Sequence, residues 1–424
     1  MKLTLLTALL LTLLTALHAA PPDLSKITSR ADLAAVIAAT PDPALKRALN
    51  DHTAAILAAV ERHPHVQAVI RTIESAPGTF TKINTTPEAL KKAAGGDIAL
   101  FDTLTLVSTA ILNGHAHDNR DVKADPYDGA FIEHLGHIQT LETVRFVTAK
   151  RIEESWLPLF LTLNNLKSLT IDNRGSVVPL GDTALAKLQP LTKLPGLKSL
   201  ALHYFKVTDA GLEQLAGLKN LESFSLRTHV AGHAFAKFEG WTNLKSIAFH
   251  GNGIDDEGLR YICERFPNLE SLNLIHARVL TDASAVHLLK LPKLKSILIN
   301  GPKITAAWLK NVNRLPIESL NIAEGAVTPA AEVIATIKSI PTLRRLNFEG
   351  KSFTDADLAS LAAATQLTEL SVSGLELPDA RLPQLQAFSF LKSLTLALYG
   401  KGYPPETQAR IKALLPKAEV KFAP

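Results

Sequence analysis

An α/β solenoid of stacked strand-and-helix repeats, preceded by a small α-helical N-terminal region, is the fold class that the sequence predicts. The first observation is a hexapeptide of the form L-x-x-L-x-L, which recurs eleven times between residues 141 and 396. Successive copies begin 23 to 31 residues apart, a spacing typical of solenoid repeats. The second observation is a helix-start signal, such as VTDAGL at 207–212, after several of the copies.

Each hexapeptide is expected to form a strand. In LKSLAL (197–202), Leu200 and Leu202 alternate with Ser199 and Ala201, which is the period-two pattern of a strand. The leucines should point into the core and the alternate residues away from it. The helix signals that follow begin with Thr or Asp, whose side-chain oxygens cap free backbone N–H groups. Because one such unit cannot bury its apolar face alone, neighbouring units must stack.

This pattern resembles the ribonuclease-inhibitor-like class of leucine-rich repeats and, more narrowly, exported bacterial proteins built from such repeats. The resemblance covers residues 135–424, and FDTLTL (101–106) is a candidate earlier, degenerate strand. It implies a horseshoe with a concave parallel β-sheet and convex helices. It also implies a non-enzymatic scaffold that binds a protein or glycan ligand. The asparagine or cysteine that usually follows the third leucine is largely absent, so we expect less regular turns than in the family.

The N-terminal segment has the features of a signal peptide. Lys2 precedes an apolar run from Leu3 to Leu17, and the small residues Ala19 and Ala20 follow it. That run is shorter than the ~20 residues of a membrane-spanning helix, so an uncleaved anchor is the less favoured alternative. We therefore expect an extracytoplasmic protein, periplasmic or secreted, with no membrane insertion after signal cleavage.

The chain is predicted to have four parts. They are the signal peptide (1–20), a helical N-terminal region (21–96), a transition or N-terminal cap with a polar insertion (97–140), and the leucine-rich-repeat solenoid with its C-terminal cap (141–424). In the helical region, Asp42 with Pro43 and Thr86 with Pro87 signal helix starts, and Gly95 signals an end. Pro64 is expected to interrupt the helices around it.

Charge, cysteine content and motifs argue against several functions. The 45 basic and 40 acidic residues form no conspicuous basic run, so no nucleic-acid partner is expected. Cys263 is the sole cysteine, which rules out an intramolecular disulfide, and its helical context favours a buried position. The sequence contains no G-x-S-x-G, Walker or HExxH motif. We therefore predict a protein that is not an enzyme and has no cofactor.

The outward strand positions are the candidate binding surface. One outward column brings His203, Arg227 and His250 onto consecutive repeats, and adjacent strands lie ~4.8 Å apart. Such side chains suit an acidic or polar partner. The candidate ligand-binding residues are Asp172, His203, Tyr204, Arg227, His250 and Asn273. The alternative interpretation is a sheet face that is polar only because it is solvated.

A second hypothesis concerns the histidines of residues 115–137. His115 and His117 lie in NGHAHDNRD, and His134 and His137 have helical spacing in EHLGH, so these four are candidate metal ligands. A metal-binding module or metal-dependent hydrolase is thus the alternative function. The pattern H-x-H-x-D-H is not met, because Asn119 and Arg120 occupy its last two positions. A polar loop insertion explains the same residues without a metal.

Overall fold

A computed structural model describes residues 24–110, 125–148, 152–174, 179–250, 253–301, 303–322, 330–398, 400 and 402–423. The expected signal peptide lies outside these ranges. The chain divides into two compact units, Met1–Leu166 and Lys167–Pro424. Among the described residues, no helix combines the length and apolar character that crossing a membrane requires.

The elements of the first unit are mostly helical. They are α1 (Arg30–Ala39), α2 (Pro43–Asp51), α3 (Thr53–Glu74), β1 (Gly78–Asn84), α4 (Glu88–Ala94), β2 (Asp102–Thr109), α5 (Gly129–Gly136) and β3 (Thr143–Val147), with short 3₁₀ turns at Leu24–Lys26 and Ala99–Phe101 and a longer one at Glu154–Thr162.

The elements of the second unit alternate between strands and helical connections. The strands are β4 (Ser168–Asp172), β5 (Ser199–His203), β6 (Ser223–Arg227), β7 (Ser246–His250), β8 (Ser271–Ile275), β9 (Ser296–Ile299), β10 (Ser319–Ile322), β11 (Arg345–Glu349), β12 (Glu369–Ser373), β13 (Ser393–Ala397) and β14 (Glu419–Ala423). The α-helices are α6 (Asp182–Leu188), α7 (Asp209–Leu212), α8 (Asp256–Arg265), α9 (Ala306–Val312), α10 (Ala330–Lys338), α11 (Asp355–Ala362) and α12 (Pro405–Leu414). The 3₁₀ helices are Gln189–Lys193, Glu213–Leu215, His233–Lys237, Asp282–Lys290 and Leu382–Phe388.

Helix starts and ends in the first unit follow the sequence signals in part. The Asp42 side chain accepts a hydrogen bond from the Leu45 N–H and Pro43 opens α2, as predicted. Gly95 ends α4 in the left-handed conformation, with φ at 75°. The expectation that Pro64 interrupts the helix is wrong, because Pro64 lies inside α3. Buried residues on both sides of the proline anchor α3, and this packing outweighs the lost backbone hydrogen bond.

The first unit also contains strands. The prediction that the N-terminal region is wholly helical is wrong for β1, which pairs antiparallel with β2. In GTFTKIN the apolar residues Phe80 and Ile83 are three apart, so the period-two pattern of a strand is missing, and the pairing with β2 has a register shift between Thr81 and Lys82. The predicted degenerate strand at 101–106 overlaps β2 from residue 102 onward, and β2 pairs in parallel with β3.

In the second unit, each strand from β4 to β14 pairs in parallel with the next strand along the chain. The leucines of the hexapeptides are buried and the alternate residues are partly exposed, as in β5. The first outward column runs in register through Ser168, Ser199, Ser223, Ser246, Ser271, Ser296 and Ser319. The predicted α/β leucine-rich-repeat solenoid is confirmed.

Aspartates near the starts of the helical connections link consecutive repeats. The Thr305 N–H and hydroxyl donate to the two carboxylate oxygens of Asp282, at 2.8 and 2.6 Å. Asp182 accepts from Thr208 in the same way. The sequence predicted threonine caps, and Thr208 does cap α7. It did not predict that the aspartate of one repeat would bind the threonine of the next.

Replacing Asp282 with alanine should lower the free energy of unfolding of the second unit by about 1 kcal/mol, because the cap of α9 loses both acceptors. Asp282→Asn keeps one acceptor oxygen and should cost less. Denaturant unfolding followed by tryptophan fluorescence measures the difference, since buried Trp308 lies in α9. Equal stability of the Asp282→Ala variant and the wild type would contradict the proposed link.

Candidate functional site

The carboxyl ends of β4 to β7 bring most of the predicted ligand-binding residues together. Asp172, His203 and Arg227 are in register on three adjacent strands. His250 ends β7, and its ring centroid lies 6.5 Å from that of His203. We call Arg174, His203, Tyr204, Arg227 and His250 the edge cluster.

Asp172 lies beneath the edge cluster. The prediction that Asp172 lies in an exposed outward column is wrong, because its side chain is 0% exposed. Arg174 covers the carboxylate through Nε, 3.0 Å from both oxygens, and Nη2, 2.6 Å from Oδ2. His203 Nδ1 lies 3.6 Å from Oδ2. Burial alone would raise the pKa of Asp172, but the interactions with His203 and Arg174 outweigh it and hold the pKa well below its usual range.

Tyr204 is the exposed aromatic side chain of the cluster. It follows β5 with φ at 60°, a left-handed conformation that non-glycine residues seldom adopt, and it is 37% exposed. Arg227 Nη1 donates to its hydroxyl at 2.6 Å, and the Arg227 guanidinium carbon lies 4.6 Å from the ring centroid. The Arg174 guanidinium carbon is 5.5 Å from the same centroid. Two arginines thus hold the ring through cation–π contacts.

The edge cluster contains one arginine whose positive charge is not paired with a carboxylate of the described residues. Arg174 is paired with Asp172, but Arg227 forms no salt bridge with any of the described residues. The pKa of His250 is lowered by burial and then by nearby Arg227, His203 and His276. His250 is therefore mainly neutral near pH 7. Arg227 donates a hydrogen bond to the Tyr204 hydroxyl, and its charge is available to a carboxylate of a ligand.

The structure adds one residue, Arg174, to the predicted site and separates another, Asn273, from it. Arg174 was not predicted, although its position two residues after a strand-end aspartate was a usable signal. Asn273 lies in the central outward column, in register with Ala248 and Leu298. Within the described part of the chain, its buried Oδ1 has no hydrogen-bond partner. None of the contacts that define the edge cluster involves Asn273.

The predicted metal ligands separate into two groups. His115 and His117 lie outside the described residues. His134 lies in α5 and His137 is its C-terminal cap, and both meet His65 of α3, which the sequence did not single out. The pKa of His65 is lowered by burial and by the two neighbouring histidines. Where the structure describes the chain, no three or more His, Cys, Asp or Glu residues are grouped to hold a metal ion.

Comparisons with known proteins give weak likenesses. No family model matches the sequence, and a search of curated proteins found no match. An internalin from Listeria monocytogenes is similar at 20% identity and a TM-score of 0.38, over 62% of this chain and 76% of the internalin. A leucine-rich-repeat protein from Leptospira interrogans is similar at 16% identity and a TM-score of 0.34, over 68% and 80% of the two chains.

A third solved structure, a TLR13 complex with an RNA, is similar at 16% identity and a TM-score of 0.40, over 68% of this chain and 43% of TLR13. The in-register parallel strands and the recurring hexapeptide show the solenoid fold.

Proposed function

We propose that the protein is an exported, non-enzymatic binding scaffold that holds an acidic segment of a partner protein on the edge cluster. The observation that carries the proposal is the arrangement of Arg227 and Tyr204. An arginine without a carboxylate partner among the described residues lies against an exposed aromatic ring. Arginine and tyrosine are among the residue types enriched at the energetic centres of protein-binding interfaces.

Export is supported by the sequence of residues 1–20, which has the charge, apolar run and small residues of a signal peptide. Protein binding is supported by the extended outward face of a repeat scaffold. A glycan is the other candidate ligand. The pairing of Arg227 with the exposed Tyr204 ring favours a protein segment, because these residue types are enriched at protein interfaces, and the planar donor fork of Arg227 matches a carboxylate of that segment.

Pull-down from the extracytoplasmic fraction, followed by titration of the purified partner, tests the edge cluster. Tyr204→Ala and Arg227→Ala should each weaken binding by about 30-fold, the loss expected from an interface hot spot. Arg345→Ala is the matched control, because Arg345 is exposed on the same sheet face in β11. Higher salt should weaken the wild-type complex.

The outcomes separate the possibilities. Equal losses for Arg227→Ala and Arg345→Ala would show that charge anywhere on the face suffices and would overturn the assigned site. Unchanged binding in the triple alanine variant of His203, Arg227 and His250 would also reject it. Binding that survives protease treatment of the partner but is lost after glycosidase treatment would replace the protein partner with a glycan.

A further inference from the structure

Three histidines of the first unit form a compact group that the binding function does not use. His65 lies in the middle of α3, whereas His134 and His137 lie at the end of α5, about 70 residues away along the chain. The His137 ring stacks on the His65 ring with centroids 3.9 Å apart. The His134 ring is tilted by 58° to that of His65, at a centroid distance of 5.1 Å.

The two closest nitrogens in this group point at each other. His65 Nδ1 and His134 Nδ1 are 2.9 Å apart, a hydrogen bond in which one imidazole must donate and the other accept. Metal–imidazole bonds are ~2.0–2.1 Å long, so for a metal ion bound equally to both atoms the nitrogen–metal–nitrogen angle would be ~90°. That is the angle between neighbouring ligands in square-planar and octahedral coordination, which Cu²⁺ and Ni²⁺ prefer. At this nitrogen–nitrogen distance a metal ion can replace the shared proton once each ring turns so that its Nδ1 lone pair points at the ion rather than at the other nitrogen.

The surroundings also suit a cation. Burial and the neighbouring His137 and His134 lower the pKa of His65, whereas the exposed carboxylates of Glu133 and Glu61 favour positive charge there. The stacked His137 ring fixes the plane of the His65 ring. Two protein ligands leave several coordination positions to water, which is consistent with the absence, among the described residues, of a group of three or more metal-ligating side chains.

We propose that His65 and His134 form an exchangeable two-histidine site for a late divalent transition-metal ion, with Cu²⁺ bound most tightly. Their Nδ1 atoms occupy two adjacent coordination positions, and His137 supports the His65 ring without binding the metal. Bound metal joins α3 to α5. The site is independent of the edge cluster, which lies in the second unit.

The test is Cu²⁺ titration of the full-length protein, purified without a histidine tag and freed of metal. One equivalent should bind, and low-temperature electron paramagnetic resonance should show two coordinated imidazole nitrogens. His65→Gln and His134→Gln should each weaken binding by at least 10-fold and remove the two-nitrogen signature. Cu²⁺ should also raise the unfolding temperature of the wild type but not of these variants.

Control variants make the assignment specific. His287→Gln changes a histidine of the second unit and should bind as the wild type does. His137→Gln should keep the two-nitrogen signature with at most a few-fold loss of affinity. If a His115→Gln, His117→Gln double variant abolishes the signature while His65→Gln keeps it, the proposal is overturned. It is also overturned if the wild type binds Cu²⁺ no more tightly than His134→Gln, with circular dichroism confirming that the variants are folded.

Discussion

Replacing Arg174 with alanine is expected to lower the free energy of unfolding of the second unit by about 3 kcal/mol at neutral pH. The reason is the burial of Asp172, whose side chain is 0% exposed. Without the guanidinium, the buried carboxylate keeps the backbone N–H of residue 174, at 3.1 Å from Oδ1, and His203 Nδ1, at 3.6 Å from Oδ2, but no permanent positive charge. Removing one member of a buried ion pair leaves an uncompensated charge, which costs more than the pair itself contributes.

The effect of pH distinguishes this mechanism from a simple loss of packing. In the wild type, the folded pKa of Asp172 lies below the unfolded value of about 3.9, so its contribution is fully present above that value and is lost as the pH falls. In Arg174→Ala, burial without the guanidinium should raise the folded pKa above the unfolded value. The buried carboxylate then lowers the free energy of unfolding of that variant at high pH, and this loss disappears as the pH falls. The stability gap between the two proteins should narrow from pH 7 to pH 4.

Adding Asp172→Asn to Arg174→Ala supplies the control. The double variant has no buried charge, so at pH 7 it should be more stable than Arg174→Ala alone. Denaturant unfolding at pH 7 and pH 4 compares the stabilities of the wild type, Arg174→Ala and the double variant. A gap that stays constant with pH would show that Arg174 stabilises the unit through its packing on the Tyr204 ring.

Replacing Gly258 with alanine should also destabilise the second unit strongly. Gly258 lies in the first turn of α8, where a Gly→Ala change ordinarily adds about 1 kcal/mol of stability. Here an added Cβ would lie 1.9 Å from the backbone oxygen of Ala231 and 3.1 Å from the Cα of Gly232. Backbone atoms of the preceding connection cannot move aside cheaply. We expect the free energy of unfolding to fall by an amount at the upper end of about 1–3 kcal/mol, whereas helix propensity alone would raise it.

The matched control for Gly258 is Gly181→Ala. Gly181 precedes α6 with φ at −105°, and its nearest neighbour to an added Cβ is the Lys206 oxygen at 3.8 Å. This substitution should change the stability by less than about 0.5 kcal/mol. Thermal and denaturant unfolding of the two variants check the contrast. A stabilised Gly258→Ala variant would show that the two connections separate readily at this point.

Local sequence periodicity predicted the fold of the second unit. The hexapeptide predicts which residues face the core, and because His203 and Arg227 each directly follow a hexapeptide, they lie in register. Alternation predicts on which face of the sheet a side chain lies but not how far it is buried. It therefore could not show that Arg174 covers Asp172. Likewise, Pro64 and β1 depend on packing partners elsewhere in the chain. The sequence did not indicate a role for His65, because 69 residues separate it from its partner His134.

The contacts between aspartates and threonines of successive repeats have a consequence for how the second unit unfolds. Each bond pair, such as that between Asp256 and Thr281, is present only while both neighbouring repeats are folded. The order of one repeat is therefore tied to the order of the next, and cooperativity passes along the chain by nearest neighbours. Loss of structure should then begin at a terminus, where a repeat has one neighbour, and advance inward. The same logic permits the number of repeats to change during evolution, because removing the unit that carries Thr281 and Asp282 would leave Asp256 facing Thr305.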